Sequence, residues 1–259
     1  IKWPCSMRWG LSIWNSLFLD QTAFKVDSSK SPQWNRGAYI AQSLGHCGSC
    51  HTPRGHFFQE KSMDHNGSAG QEYLAGFTFD AWHAVNLRDL WTVPETVRFL
   101  KTGRNSFGAA TGSMTEVIHH STQHFSDGDL VSLAEYFKSL PAPAGTIDAK
   151  SAGVYTPVSA DNLYKTRGGL GYVQFCSTCH RRDGRGVGEI FPPLAQNSSV
   201  QSKDPTSLIH NVLSGWESAS TQHSPRAFGM PEYSRLSDGE IAEIVSFVRT
   251  QWGNQAAPI

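Results

Sequence analysis

Residues 47–51 read Cys-Gly-Ser-Cys-His, and residues 176–180 read Cys-Ser-Thr-Cys-His. The two strings share the pattern C-x-x-C-H and contain all but one of the five cysteines in the chain. The remaining cysteine, Cys5, stands alone. Two cysteines at this spacing, followed directly by a histidine, place two thiols and one imidazole together on a single helical turn. The pattern therefore indicates a site that holds a metal or a cofactor.

Three interpretations fit one such string: covalent attachment of a c-type haem, half of a zinc site, or a redox-active dithiol. Haem fits because the two thiols reach the two vinyl groups on one edge of the porphyrin, and the histidine points at the iron. A zinc site needs further clustered ligands, and a thioredoxin-like dithiol needs a βαβ setting. Neither is evident, and the string occurs twice. We therefore predict two covalently bound haems c, held by Cys47, Cys50, His51, Cys176, Cys179 and His180.

The sequence after each string forms an internal repeat. In both cases a long stretch leads to a methionine and then to Ser-Asp-Gly-Asp or Ser-Asp-Gly-Glu, at residues 126–129 and 237–240. A serine followed three residues later by an acidic residue is a capping box, which begins a helix. Apolar residues then recur at helical spacing, and these helices are expected to end near Pro141 and Gly253. The repeat predicts two units of the same kind.

A helix is also expected before each string. Residues 35–44 can form the first, and Ser159 or Asp161 can cap the second, which runs to Phe175. Between the units the chain is rich in Pro, Ala and Gly, which is typical of a linker. We therefore predict an all-α fold with long loops, two tandem domains and an N-terminal amphipathic connector. The predicted boundaries are connector 1–31, domain 32–140, linker 141–157, domain 158–253 and tail 254–259.

This arrangement resembles two tandem class I cytochrome c domains, in which a methionine on the loop before the last helix binds the iron opposite the histidine. Of the four methionines, Met114 and Met230 occupy matching places ahead of the capping boxes, whereas Met7 and Met63 do not. A lone methionine is usually core filler, but the matched positions favour ligation. The predicted axial ligands of the haem irons are His51 with Met114 and His180 with Met230. A methionine thioether that binds the iron leaves no coordination position for a substrate. We therefore expect these haems to transfer electrons.

The loop Phe191-Pro192-Pro193-Leu194 resembles the one whose proline carbonyl accepts a hydrogen bond from the ligand histidine in these cytochromes. That contact would fix the tautomer and orientation of His180. The first unit has no such proline pair, and its counterpart is placed near residues 74–76 without an assignment.

Longer stretches resemble the cytochrome c subunit of membrane-bound bacterial dehydrogenases. They are residues 34–39, 44–54, 99–105, 112–117 and 191–195. These complexes include flavin-dependent glucose, fructose, gluconate and sorbitol dehydrogenases and the quinohaemoprotein alcohol dehydrogenase. The family's subunit normally carries three haem domains, so a third haem is expected in an N-terminal domain that this sequence does not contain. One departure is Val85, where the family often has proline.

The resemblance implies an electron-transfer subunit that is not catalytic alone, so no residue is a candidate catalytic residue. A catalytic dehydrogenase subunit, of the FAD type or alternatively of the PQQ type, would oxidise a sugar, polyol or alcohol. The other implied partners are a small accessory subunit and ubiquinone, the electron acceptor. The implied location is the periplasmic side of the bacterial cytoplasmic membrane, with peripheral attachment. The alternative is a stand-alone dihaem cytochrome c, either a peroxidase or other oxidoreductase or a soluble electron shuttle.

Charge and hydropathy limit the partners. The charges of the 22 basic and 22 acidic residues cancel, so no nucleic acid is expected as a partner. The sequence contains no run of 18 apolar residues, the length needed to span a membrane. The first 18 residues are nevertheless crowded with apolar side chains, and Met7, Leu11, Trp14 and Phe18 share one helical face. Because indole rings prefer membrane interfaces, this segment is expected on a membrane surface or a partner, or else against the missing domain. Cys5 is expected to be a free thiol, or alternatively a link to another subunit.

Overall fold

The computed structural model describes residues 3, 6–19, 22–143, 154–188 and 190–259. Cys5 and most of the predicted linker lie outside the described residues. Helices are the main regular structure, as the sequence predicts. The α-helices are α1 (Trp9–Phe18), α2 (Pro32–Tyr39), α3 (Gly48–His51), α4 (Val93–Thr102), α5 (Ser113–His120), α6 (Asp127–Ser139), α7 (Ala160–Lys165), α8 (Arg167–Phe175), α9 (Ser177–His180), α10 (Ser198–Gln201), α11 (Thr206–Ser214) and α12 (Asp238–Thr250).

Short antiparallel pairs of strands accompany the helices. In the described part of the chain they are β1 (Phe77–Phe79) with β2 (Trp82–Ala84), β3 (Arg104–Asn105) with β4 (Gly108–Ala109), and β5 (Trp216–Glu217) with β6 (Gly229–Met230). A π-helical turn, Ile40–Leu44, extends α2 directly towards the first C-x-x-C-H string. The helix predicted at residues 35–44 is therefore present, with a change of winding at Ile40.

The buried apolar side chains form two large clusters, each drawn from one half of the sequence. The first extends from Trp34 to Leu140, and the second extends from Leu163 to Trp252. Residues 254–259 lie against the second half, where the Asn254 amide donates to the carbonyl of Val248 at 2.7 Å. The division into tandem domains and the proposed boundaries stay predictions.

In each half an early helix packs against the last helix of that half, and a glycine lies at the contact. Helix α2 packs on α6, and α8 packs on α12. A Cβ atom on Gly37 would lie 2.0 Å from the carbonyl oxygen of Ser132, and one on Gly168 would lie 2.3 Å from that of Glu243. Only glycine permits so close an approach of two backbones. The same kind of helix contact, with a glycine where the two backbones approach, therefore occurs in both halves.

The two Ser-Asp-Gly strings begin helices, as predicted, but only one forms a complete capping box. Ser237 accepts a hydrogen bond from the Glu240 amide, and the Glu240 carboxylate accepts one from the Ser237 amide at 2.9 Å. Ser126 likewise caps α6 through the Asp129 amide. The Asp129 carboxylate instead accepts two hydrogen bonds from Arg36, at 2.7 and 3.1 Å. The shorter aspartate therefore links α6 to α2 rather than closing the box.

The single helix predicted before the second string is wrong, because two helices occupy that stretch. Ser159 caps α7 by accepting from the amide of Asn162, as expected. Thr166 then adopts an extended conformation, and its hydroxyl accepts from the amide of Gly169, which begins α8. A threonine side chain that caps a new helix competes with continuation of the old one.

We expect Gly37→Ala and Gly168→Ala each to lower the free energy of unfolding by about 1–3 kcal/mol, the usual cost of overpacking. The added methyl group would overlap a backbone carbonyl of the facing helix. Denaturant unfolding of the haem-loaded protein measures the effect. Gly239→Ala is the matched control, because nothing lies within 4 Å of its added Cβ. An equal loss in all three variants would contradict the close-packing explanation.

Candidate haem sites

The residues assigned to the second haem lie around one cavity. Helix α9 carries Cys179 and His180, Cys176 directly precedes it, and strand β6 carries Met230. The remaining lining residues are mostly apolar: Phe175, Ile190, Phe191, Pro192, Trp216, Phe228, Gly229, Pro231 and Tyr233. Two thiols, an imidazole and a thioether within one apolar lining match the attachment and ligand groups of a c-type haem.

His180 is oriented by the loop that the sequence singles out. Its Nδ1 lies 2.9 Å from the carbonyl oxygen of Pro192, to which it donates. Burial lowers the pKa of His180, while the hydrogen bond to Pro192 opposes that shift. A neutral imidazole that donates from Nδ1 keeps Nε2 as the nitrogen available to a metal.

His51 is held in the same way, but not by the segment that the sequence analysis proposed. Its Nδ1 lies 2.6 Å from the carbonyl oxygen of Val85. Burial lowers the pKa of His51 to about 4, against the opposing effect of that hydrogen bond. Placing the counterpart near residues 74–76 was therefore wrong, although Gly76 donates its amide to the His51 carbonyl at 2.7 Å. The signal was the departure at Val85, because the backbone carbonyl of a valine accepts a hydrogen bond as well as that of a proline.

The two candidate methionine ligands lie in different local structures. Met114 is the second residue of α5 rather than part of a loop, whereas Met230 lies in strand β6. Met114 packs against the first core cluster, which Cys47 also borders. Just before α5, Gly112 adopts a positive φ of 55°, and a Cβ there would lie 2.7 Å from the Trp82 ring. The turn that leads to Met114 is therefore packed tightly on β2.

Comparison of the sequence with known proteins identifies a domain and several relatives. Residues 166–252 match the cytochrome c family. The chain is 40% identical over 274 residues to the gluconate 2-dehydrogenase cytochrome c subunit of Pantoea cypripedii, which covers 99% of this chain and 60% of that protein. Residues 166–252 therefore form a cytochrome c domain. A cytochrome c domain implies covalently bound haem c.

Two further relatives are cytochrome subunits of other dehydrogenases. The cytochrome c subunit of the alcohol dehydrogenase (quinone) of Gluconobacter oxydans is 41% identical over 267 residues, with 99% of this chain and 55% of that protein covered. The fructose dehydrogenase cytochrome subunit of Gluconobacter japonicus is 30% identical over 285 residues, with 100% and 57% covered. The chain therefore spans somewhat more than half the length of these relatives.

The two alternatives, zinc binding and dithiol chemistry, fit these residues poorly. Burial raises the pKa of Cys47 and of Cys176 to about 12, and it also raises the pKa of Cys50. A redox nucleophile has to be a thiolate, so the raised pKa values disfavour dithiol chemistry. Within the described ranges, no group of three or more His, Cys, Asp or Glu side chains is arranged to hold a metal ion. Attachment of a haem through thioether bonds requires neither a redox-active thiolate nor a cluster of metal-binding side chains.

Tyr73 provides a further test of whether a haem fits the first site. Its ring is 1% exposed and lies against the Cys-x-x-Cys-His turn, where a Cβ on Gly48 would approach it to 3.1 Å. Its hydroxyl is buried and has no hydrogen-bond partner among the described residues. Because an unsatisfied buried hydroxyl costs about 1–3 kcal/mol, this atom fits a polar group supplied by a cofactor, such as a haem propionate. No motif or spacing pointed to Tyr73.

We expect Met114→Ala and Met230→Ala each to lower the reduction potential of one haem and to let that reduced haem bind carbon monoxide. The reason is that a thioether favours ferrous iron and blocks the sixth position. Visible spectroscopy under carbon monoxide counts the haems that bind it. Met63→Ala is the control, because Met63 is 41% exposed and has no assigned role. An unchanged spectrum for either ligand variant would remove that methionine from the assignment.

Proposed function

We propose that this chain is the electron-transfer subunit of a dehydrogenase complex, with haems c at Cys47, Cys50 and His51 and at Cys176, Cys179 and His180. The observation that carries the proposal is the apolar cavity around Cys176, Cys179, His180 and Met230. Its support is the relationship, over nearly the whole chain, to proteins named as cytochrome subunits of dehydrogenases. A haem c with histidine and methionine ligands supplies one-electron transfer at a raised potential.

The chain's own residues would tune and insulate these centres. The carbonyls of Val85 and Pro192 hold the two histidines in one tautomer. Such hydrogen bonds raise the basicity of a ligand imidazole, and an apolar shell around the site limits solvent access. Met114 would bind the iron of the first haem together with His51, and Met230 would bind that of the second together with His180. Because these protein ligands would close each iron to substrates, oxidation of the substrate is assigned to another subunit.

The proposed function also implies specific partners. A catalytic dehydrogenase subunit of the FAD type is favoured and a PQQ type is the alternative, with a small accessory subunit and ubiquinone as acceptor. The relatives' names support a dehydrogenase partner and include gluconate, alcohol and fructose as substrates of those complexes. The substrate class proposed here is accordingly a sugar, sugar acid, polyol or alcohol. The third haem domain stays a prediction.

Affinity purification of the tagged chain from native membranes tests the proposed function. We expect a dehydrogenase subunit to co-purify, and gluconate, fructose or ethanol in a substrate panel to reduce the haems. Haem content should be two per chain, falling to one in the paired variants Cys47→Ala/Cys50→Ala and Cys176→Ala/Cys179→Ala. A haem-loaded chain that purifies alone, with no substrate able to reduce it, would favour the stand-alone cytochrome instead.

We propose a peripheral position at the membrane, on its periplasmic side, and helix α1 supports the peripheral attachment. The inner face of α1 contacts the protein: Trp14 donates to the carbonyl of Phe57 at 2.8 Å, and Phe18 stacks on the Phe57 ring. The outer face carries Trp9 and Leu17, which are 65% and 68% exposed, with Ile13 between them. No helix within the described ranges has the length and apolar character needed to cross a bilayer. An amphipathic helix of this kind can lie in the interface.

The helical face shared by Met7, Leu11, Trp14 and Phe18 is not the face of α1 that is exposed as a whole. Trp14 and Phe18 are turned towards the protein, whereas Leu11 is largely exposed. The residues that present an exposed apolar stripe are Trp9, Ile13 and Leu17, spaced four residues apart along α1. A helical-face argument finds both stripes, but only the contact with Phe57 decides which one is turned inward.

We expect the triple variant Trp9→Ser/Ile13→Ser/Leu17→Ser to lower binding to phosphatidylglycerol–phosphatidylethanolamine vesicles by at least about tenfold, because burial of each side chain contributes about 1.5–3 kcal/mol. Vesicle flotation of the haem-loaded protein measures it. Val26→Ser/Val154→Ser removes two exposed apolar side chains outside α1 and should leave binding unchanged. Equal vesicle binding by the two variants would contradict the membrane assignment of α1.

A further inference from the structure

The β1–β2 hairpin lies beside both candidate iron ligands of the first half. Val85, which accepts the hydrogen bond from His51, directly follows the last residue of β2. Trp82, the first residue of β2, packs against Gly112, two residues before Met114. A displacement of β2 would therefore move the acceptor of His51 and the turn that leads to Met114 together.

The outer side of the same hairpin is fastened to helix α11 of the second half. The hydroxyl of Ser207 accepts from the backbone amide of His83 at 2.7 Å and donates to the His83 carbonyl at 3.2 Å. Ser207 is 7% exposed, so water competes little for these bonds. One buried hydroxyl thus satisfies both backbone groups at the middle of β2.

Side chains extend this contact on both sides of Ser207. The Thr78 hydroxyl of β1 donates to the Asp204 carboxylate and lies 2.7 Å from Nδ1 of His83. Because the hydroxyl has one proton and gives it to Asp204, the His83 Nδ1–H is the donor to Thr78. At the other end of the hairpin, the Trp82 ring stacks on the His210 ring with centroids 4.2 Å apart. The hairpin is therefore held along its length.

Helix α11 is also tied to the second site. It ends at Gly215, whose positive φ of 65° places a hypothetical Cβ 2.5 Å from the carbonyl oxygen of Met230. Strand β5 follows at once and pairs with β6, so that Trp216 is opposite Met230. The segment that carries Ser207 thus continues into the strand pair that carries the second methionine.

We propose that α11 positions the iron ligands of the first haem through the β1–β2 hairpin, with Ser207 as the principal positioning residue. The hydrogen bond from a ligand histidine to a carbonyl raises the basicity of the imidazole and so stabilises ferric iron. Its geometry here depends on where β2 holds Val85. The potential of the first haem would then depend on a contact with the second half of the chain. This inference rests on the proposed haem at Cys47, Cys50 and His51.

The test compares Ser207→Ala, Ser207→Thr and Ser214→Ala in the full haem-loaded chain. Ser207→Ala removes both hydrogen bonds to β2, Ser207→Thr keeps the hydroxyl, and Ser214 is an exposed serine on the same helix. We expect Ser207→Ala to raise the potential of the first haem and leave that of the second unchanged. Hydrogen exchange at the His83 amide and at His51 Nδ1–H should accelerate by up to about tenfold, the equivalent of one hydrogen bond. Ser207→Thr should restore both readings.

A second variant, His210→Ala, covers the case in which Ser207→Ala does not fold. This substitution removes the half-exposed His210 ring that stacks on Trp82. In the reduced protein it should shift the proton resonance of the Met114 methyl group and leave that of the Met230 methyl group unchanged. Potentials are assigned to each haem with the paired cysteine variants. Changes no larger than those of Ser214→Ala, or equal shifts in both haems, would overturn the inference. Absence of haem at Cys47 would instead overturn the proposed function, and the haem count reveals it first.

Discussion

Each histidine of the two C-x-x-C-H strings donates its Nδ1 proton to a backbone carbonyl, and much of the surrounding structure serves that hydrogen bond. The acceptors are Pro192 for His180 and Val85 for His51. A backbone carbonyl can reach a string histidine only if the chain returns closely past the helical turn. Gly186 makes such a return possible, because a Cβ there would lie 2.2 Å from the carbonyl oxygen of Phe191. Gly76 has a similar role, with its φ of 94° and its close approach to residues 84–86.

The two halves of the chain share one structural feature and differ in another. The shared part is the pair of crossing helices with a glycine at the contact, Gly37 in the first half and Gly168 in the second. The segment that carries the methionine differs: Met114 lies in the first turn of a helix, whereas Met230 lies in a strand in which it pairs with Trp216. A thioether on three rotatable bonds can reach a metal from either backbone. The repeat therefore preserves the packing of helices more closely than the conformation of the loops.

Much of the fold and of the candidate sites could be predicted because the signals are local. The string motifs, the caps at Ser126 and Ser237 and the Pro192 loop each depend on residues close together in the chain; His180 and Pro192 are 12 positions apart. Two of the predictions that were wrong concern side chains that bind a different partner from the one the pattern implies. Thr166 starts a new helix where the periodicity continued the old one, and Asp129 binds Arg36 where the motif closed a capping box.

The sequence by itself predicted which residues attach the cofactor and determined where the capped helices begin, because thiol spacing and helix caps act within one or two turns. Only the tertiary structure decided which carbonyl orients His51, 34 positions away, and which helix holds β2, through a contact across 124 positions. Any backbone carbonyl can accept a hydrogen bond, and any buried serine hydroxyl can form hydrogen bonds with a strand. Such contacts have no local signature, so their partners are set only when the chain has folded.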